Sequence, residues 1–130
     1  MGVCNLRYID AEIEKRRIIA DKYIELLSGV EGIKLLKPQE NVSRNYSYFI
    51  LFFDGYKKDR NQVQDELAEY NIFARKYFYP IIPELNAYKN DYPDNNTPIA
   101  KHASETVLSL PLYSELALED VERICSIILK

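Results

Sequence analysis

The chain has 130 residues, a length for one domain or a piece of a larger protein, and its 47% hydrophobic and 28% charged residues are those of globular material that can bury a core. A net charge of −3 with no long block of like charges argues against nucleic acid as the main partner, because neutralising phosphates needs a basic face. No apolar run approaches membrane-spanning length and no apolar stretch follows a basic start at Met1, so the expectation is a cytoplasmic protein with no membrane partner.

Residues 5–28 read as one long helix. Leu6, Ile13, Ala20 and Leu27 recur every seven residues, and Ile9, Tyr23 and Ile24 fill the same stripe. Gly29 follows as a left-handed C-cap. Residues 33–36 form a short strand that ends at Pro38. Residues 45–53 read as the strongest strand, apolar or aromatic at nearly every position beyond Ser47, as expected of a central strand. Asp54-Gly55 signals a turn, and Asp59 with Gln62 three residues on forms a capping-box pattern. The helix that follows has Val63, Leu67 and Tyr70 as its buried face and Asn71 as its C-cap. Residues 72–74 then open a short apolar strand. From Ile81 to Thr97 the prolines and the polar run 91–96 predict loop.

Thr97-Pro98 starts a short helix with Ala100, Ala103 and Val107 inward, and residues 108–112 form a brief edge strand cut by Pro111. A last helix over residues 118–129 buries Val121, Ile124, Cys125 and Ile128. This alternation predicts an α/β fold, a small mixed or antiparallel sheet covered by helices. Cys4 and Cys125 fit neither a metal spacing nor a disulfide framework and read as free thiols.

The one stretch with distinctive chemistry is 72–80. After its apolar start it presents two cations, Arg75 and Lys76, then three aromatics, Tyr77, Phe78 and Tyr79, before Pro80. Guanidinium can fork onto phosphate oxygens, and aromatic faces can stack on a sugar or base, so the stretch suits an anionic, ring-bearing ligand. On spacing alone the same residues more readily suit a strand whose tyrosines pack into a core. Little else is reactive. His102 is the only histidine, with no serine or cysteine paired to it, and reads as a surface or capping residue. The glycines are too scattered for a phosphate loop, and acidic pairs such as Glu119/Asp120 read as solvated helix-dipole partners.

Five landmarks in register carry a resemblance: Gly2-Val-Cys-Asn-Leu-Arg before a long helix, Asn45-Tyr-Ser-Tyr-Phe, Ala74-Arg-Lys-Tyr-Phe-Tyr-Pro80, Leu110-Pro-Leu-Tyr113 and Glu119-Asp-Val-Glu-Arg-Ile124. In this order and spacing the chain resembles the C-terminal third of the pyridoxal-phosphate sugar-nucleotide aminotransferases of the DegT/DnrJ type. The resemblance implies that residues 1–130 are the small domain of a fold-type-I aminotransferase, with a long helix over about 5–28 and an α/β body from about 30. It also implies a parent enzyme, usually a homodimer, that passes an amino group, usually from glutamate, to a keto sugar on a nucleotide diphosphate. Arg75 or Lys76 would meet the diphosphate, while Tyr77, Phe78 and Tyr79 would line the sugar-nucleotide site.

The departures matter equally. The Schiff-base lysine and the other cofactor-binding residues would lie upstream of Met1, so no catalytic residue and no bound cofactor are expected in this chain, which alone would be inactive. Many members carry a histidine shortly after Tyr-Pro; here that loop reads Ile81-Ile82-Pro83-Glu84. Many also have histidine where Ser47 stands, and Ala117 replaces the usual Ser or Thr cap of the last helix. The alternative reading is a standalone binding or assembly module without transaminase activity, whose exposed Leu6, Ile9 and Ile13 would drive self-association.

Overall fold

Helix α1 spans Ile9–Leu27 in the computed structural model, which describes residues 3, 6–37, 39–88, 90 and 97–130. Asp10 and Glu12 in its first turn face the positive end of the helix dipole. Its outer face is laced by Glu12–Lys15, Glu14–Arg17 and Arg17–Asp21 pairs at 3.0, 2.6 and 2.6 Å, three or four residues apart. Packing begins only in the second half, where Ile19, Ala20, Tyr23 and Leu27 are buried. The expected helix over 5–28 is therefore shorter. A turn at Arg7 and Tyr8 precedes it, and Leu6 and Ile9 remain 66% and 40% exposed. The other end of the expected helix, Asn5, lies outside the described residues, as do Met1, Gly2, Cys4, Pro38 and the polar run 91–96.

Ser28 leaves the helix extended, and Gly29 takes φ +79° as the third residue of a tight turn closed by Val30 N–H on Leu27 C=O. The left-handed φ expected at Gly29 is present, in a turn following the helix. Gly32 is required for a different reason. Its φ is +79°, and a Cβ there would sit 2.2 Å from the backbone nitrogen of Tyr56. That close approach lets Asp54 N–H donate to the Gly32 carbonyl at 2.8 Å.

Three antiparallel strands follow in the order β1 (Ile33–Leu35), β2 (Phe49–Phe53), β3 (Val107–Leu110). Ile33 lies opposite Phe53, and Phe49 opposite Leu110. Alternation along β2 buries Phe49, Leu51 and Phe53 on the inner face and leaves Ile50 and Phe52 half-buried. The inner face meets α1, where the Tyr23 ring stacks on Phe49 at 4.7 Å and its hydroxyl donates to Pro111 C=O at 3.1 Å. The strand expected over 45–53 thus begins only at Phe49. Tyr46 has φ +50°, which breaks the pleat before it can start.

Helix α2 (Arg60–Glu69) starts with the expected capping box: the Asp59 carboxylate accepts from Asn61 and Gln62 N–H, and the Gln62 side chain accepts from Asp59 N–H. It ends with Asn71 at φ +60°, Asn71 N–H on Ala68 C=O and Ile72 N–H on Leu67 C=O, the paired bonds of a Schellman motif. Val63 and Leu67 are buried as expected. Tyr70 is 41% exposed, with the Lys130 ammonium 5.0 Å from its ring centre. A single 3₁₀ turn, Ile82–Glu84, interrupts the loop that follows.

Helix α3 (Pro98–Thr106) has proline at its first position, as predicted, but Thr97 makes no side-chain cap. Its buried residue is Ser104, while Ala100 is exposed and Val107 already belongs to β3. Helix α4 (Leu118–Leu129) buries Val121, Ile124, Cys125, Ile127 and Ile128. Its final carbonyls are held by the Tyr56 hydroxyl on Ile128 C=O at 2.8 Å and by Lys57 Nζ on Leu129 C=O at 2.9 Å. Helices α1, α2 and α4 and the inner sheet face close one apolar cluster. Among the described residues no helix is long and apolar enough to cross a membrane.

Candidate functional site

Residues 75–79 form an irregular strap across the outer edge of β3. The strand expected over 72–74 does not form; pairing is limited to one bridge, with Arg75 N–H on Ser109 C=O at 3.0 Å and Ser109 N–H on Arg75 C=O at 2.8 Å. The physical reason is the Schellman turn, which delivers Ile72 and Ala74 into the core while Phe73 points out, 74% exposed. Helix α2 ties the strap a second time through Gln64 Nε2 on Ala74 C=O at 3.0 Å. A third tie is aromatic: the Tyr77 ring meets Tyr48 edge-on at 5.2 Å.

These ties present the predicted residues differently from one another. Arg75 is exposed, and among the described residues neither it nor Lys76 has a carboxylate in ion-pair contact. Lys76 is half-buried with its ammonium 5.4 Å from the Tyr79 ring centre. Tyr77 is half-buried between Tyr48 and Phe78, whose ring centre is 4.3 Å away. Phe78 is 76% exposed and Tyr79 48%. The core-packing reading of these aromatics therefore fails for Phe78 and Tyr79, and two uncompensated cations stand beside open ring faces.

Backbone strain gathers at the same place. Phe78 and Tyr46 both hold φ +50°, a left-handed conformation that is costly for a bulky aromatic. They flank the Tyr48–Tyr77 contact from either side in sequence. Strain of this kind persists where surrounding contacts over-determine it, and it gathers at ligand clamps. Beside Tyr48 opens a cavity of about 370 Å³ lined by Ala20, Ile24, Leu36, Arg44, Tyr46 and Tyr48. The Arg44 guanidinium lies 5.8 Å from the Tyr46 ring centre.

Two residues that sequence reasoning missed, Arg60 and Gln64, hold the strap from α2. Arg60 is 3% exposed; it donates through one guanidinium nitrogen to Ser104 C=O at 2.8 Å and to Val107 C=O at 3.4 Å, and it covers the Tyr79 ring at 4.7 Å. Their spacing of i, i+4 on one side of a helix was the available signal. His102 is exposed on α3, with Nε2 3.6 Å from Asp54, whose carboxylate also pairs with Lys34. That carboxyl sits below its usual range, chiefly through the Lys34 hydrogen bond. The structure does not bring His102 to the strap as an acid–base group, in keeping with its reading as a surface residue.

Residues 1–129 match the family model described as the DegT/DnrJ/EryC1/StrS aminotransferase family. A dTDP-4-amino-4,6-dideoxy-D-glucose transaminase of Escherichia coli is 39% identical over 98% of the chain, which covers 35% of that protein. A protein with the same description from Shigella dysenteriae is 33% identical, again over 98% of the chain and 35% of its own length. The chain thus spans about a third of the length of the curated relatives it matches. Among solved structures, DesI in the presence of its TDP-sugar product superposes with a TM-score of 0.89 at 25% identity, over 98% of this chain and 33% of that one. A Streptococcus pneumoniae sugar aminotransferase in its PMP form gives 0.86 at 28% identity, over 98% and 32%. The sheet and helices described above are therefore those of a segment of fold-type-I aminotransferases, and the chain belongs to the DegT/DnrJ/EryC1/StrS aminotransferase family.

Proposed function

We propose that the chain forms the small, C-terminal domain of a sugar-nucleotide aminotransferase and that its 75–79 strap contacts the nucleotide-linked keto sugar. The observation that carries this reading is the pair of cations, Arg75 and Lys76, without an ion-pair partner among the described residues, set beside the exposed Phe78 and Tyr79 rings on a strap tied to β3, Gln64 and Tyr48. Guanidinium and ammonium suit a diphosphate, and the rings suit the sugar or base. The dTDP-sugar names of the relatives favour a thymidine diphosphate sugar. A homodimer, glutamate as amino donor and a cytoplasmic setting complete the reading.

Pyridoxal phosphate is the cofactor of this family, and when bound it supplies the electron sink for amino transfer. The described residues do not fit it. A Schiff-base lysine is activated by desolvation in a pocket or by a second cation beside it, whereas no lysine is buried among the described residues. The cofactor anchor is assigned to a segment beyond these 130 residues, and the chain alone is expected to be inactive as a transaminase.

Titration of the chain with a dTDP-linked hexose tests the reading. Arg75→Ala is expected to weaken binding about tenfold, the loss of one charge-assisted phosphate contact of roughly 1.5 kcal/mol. Equal affinities for the two proteins would remove Arg75 from the site.

A second reading, a standalone binding or assembly module, is favoured by one observation: of the expected patch Leu6 and Ile9 are 66% and 40% exposed, whereas Ile13 is half-buried and Ile18, 46% exposed, is a further apolar residue open to solvent on α1. Light scattering decides it. Self-association abolished by Leu6→Gln and Ile9→Gln would support it; a monomer at high concentration would remove it.

A further inference from the structure

Arg60 is the only charged side chain buried among the described residues. It stands at the first position of α2, the positive end of the helix dipole, where a cation is unfavourable. Burial adds a desolvation cost, which pulls its pKa below the ordinary arginine value. Among the described residues no carboxylate is in ion-pair contact with it, and its Nε has no hydrogen-bond partner. Removing such a side chain would relieve two penalties, so the groups it does touch indicate what it is for.

Those groups lie on two separate elements. One guanidinium nitrogen donates to the Ser104 and Val107 carbonyls, at the carboxyl end of α3 where the dipole is negative. The guanidinium also lies 4.7 Å from the Tyr79 ring centre. The same ring attracts the Lys76 ammonium at 5.4 Å. A planar, delocalised cation can donate from its edge while covering a ring with its face, and an ammonium cannot. Gln64, one turn along α2, fixes the start of the strap through Ala74 C=O. Helix α2 therefore holds the strap at both ends, with Arg60 at the Tyr79 end.

We infer that Arg60 is a positioning residue: by fixing the Tyr79 ring against the end of α3 it presets the arrangement of Tyr79 and Lys76 that meets the nucleotide-linked sugar. This rests on the reading of the strap given above. A purely structural Arg60, needed only to cap α3, would affect stability and leave Tyr79 and ligand affinity alone.

The test uses the 130-residue chain with ¹³C-labelled tyrosine, Tyr79 being assigned through Tyr79→Phe. Arg60→Met, Arg60→Lys, Tyr79→Leu and the Arg60→Met/Tyr79→Leu double variant are compared by NMR and by titration with dTDP-glucose. In Arg60→Met the Tyr79 ring signals are expected to shift and average, and lysine is expected not to restore them. Affinity is expected to fall about tenfold in Arg60→Met and in Tyr79→Leu, with the double variant no worse than Tyr79→Leu alone. An unmoved Tyr79 in folded Arg60→Met, restoration by lysine, or additive losses would each overturn the inference. If Arg60→Met does not fold, Arg60→Lys carries the same measurements. If the unmodified chain binds no dTDP-glucose, the sugar-nucleotide reading falls and the ligand half of this inference with it. The Tyr79 signals then decide the positional half on their own.

Discussion

Phe78 offers a test in which the usual order of two substitutions is reversed. Its φ of +50° costs an L-residue with a Cβ about 1–2 kcal/mol, and its ring, 76% exposed, contributes mainly through its contact with Tyr77 at 4.3 Å, worth about 1 kcal/mol. Phe78→Ala removes the ring and keeps the strain, so it should lose about 1 kcal/mol. Phe78→Gly removes both, but adds about 0.5–1 kcal/mol of unfolded-chain entropy. Glycine should therefore be more stable than alanine by about 0.5–1 kcal/mol, roughly 2–5 °C in Tm for a chain of this size. Urea unfolding followed by circular dichroism measures the difference directly. Binding should show the opposite order, with glycine weaker than alanine for a dTDP-hexose, because it frees the strap that the strained residue holds. An alanine variant equal to or more stable than the glycine variant would refute the left-handed backbone at Phe78 and the preorganisation argued from it.

Gly32→Ala places a Cβ 2.2 Å from the Tyr56 nitrogen at a positive φ, so β1 or the 54–56 turn must move; a loss of about 2 kcal/mol or more is expected in the same melts, and a neutral effect would contradict the close approach. Asp59→Ala removes the acceptor of two α2 N–H groups and strands Gln62, costing about 1–2 kcal/mol, with Asp59→Asn retaining most of it. Burial pushes the Cys125 thiol up to about 12, so in a Cys4→Ser background a thiol reagent at pH 8.5 should label it only in denaturant; rapid labelling of the native chain would show the site is open. A raised folded pKa also sets the sign of its pH effect. Its contribution to stability is complete below the ordinary thiol value near 8.5 and is lost as pH climbs from there toward 12.

The elements legible in the sequence are those whose information is local. The Asp59/Gln62 box, the apolar stripe of α4 and the proline start of α3 depend on neighbours within a turn or two, and each is where the pattern put it. The errors come from φ values and partners that no local pattern encodes. The aromatic run before Phe49 reads as strand by composition, yet the left-handed Tyr46 turns it into a loop. The apolar 72–74 stretch reads as strand, yet it is spent in leaving a Schellman turn, and only Arg75 finds β3. The strap residues themselves were visible because cations and aromatics adjoin in sequence. Arg60 was not, since an arginine at a helix start normally reads as surface, and only the arrival of α3 and Tyr79 from elsewhere in the chain buries it.

The helix that opens the described core and the helix that closes it, α1 and α4, pack against each other from opposite ends of the sequence. Bringing them together closes a loop of about 90 residues, at an entropic cost of about 4 kcal/mol that local structure does not offset in advance. On a ribosome adding about 5–20 residues per second, Tyr23 and Leu27 wait roughly 5–20 s for Val121 and Ile128 to emerge. Throughout that interval the nascent chain displays half a core, the kind of surface that chaperones hold and proteases find. Closure of this core thus waits on α4: a message that stops short of that helix yields a substrate for quality control in place of a smaller folded domain.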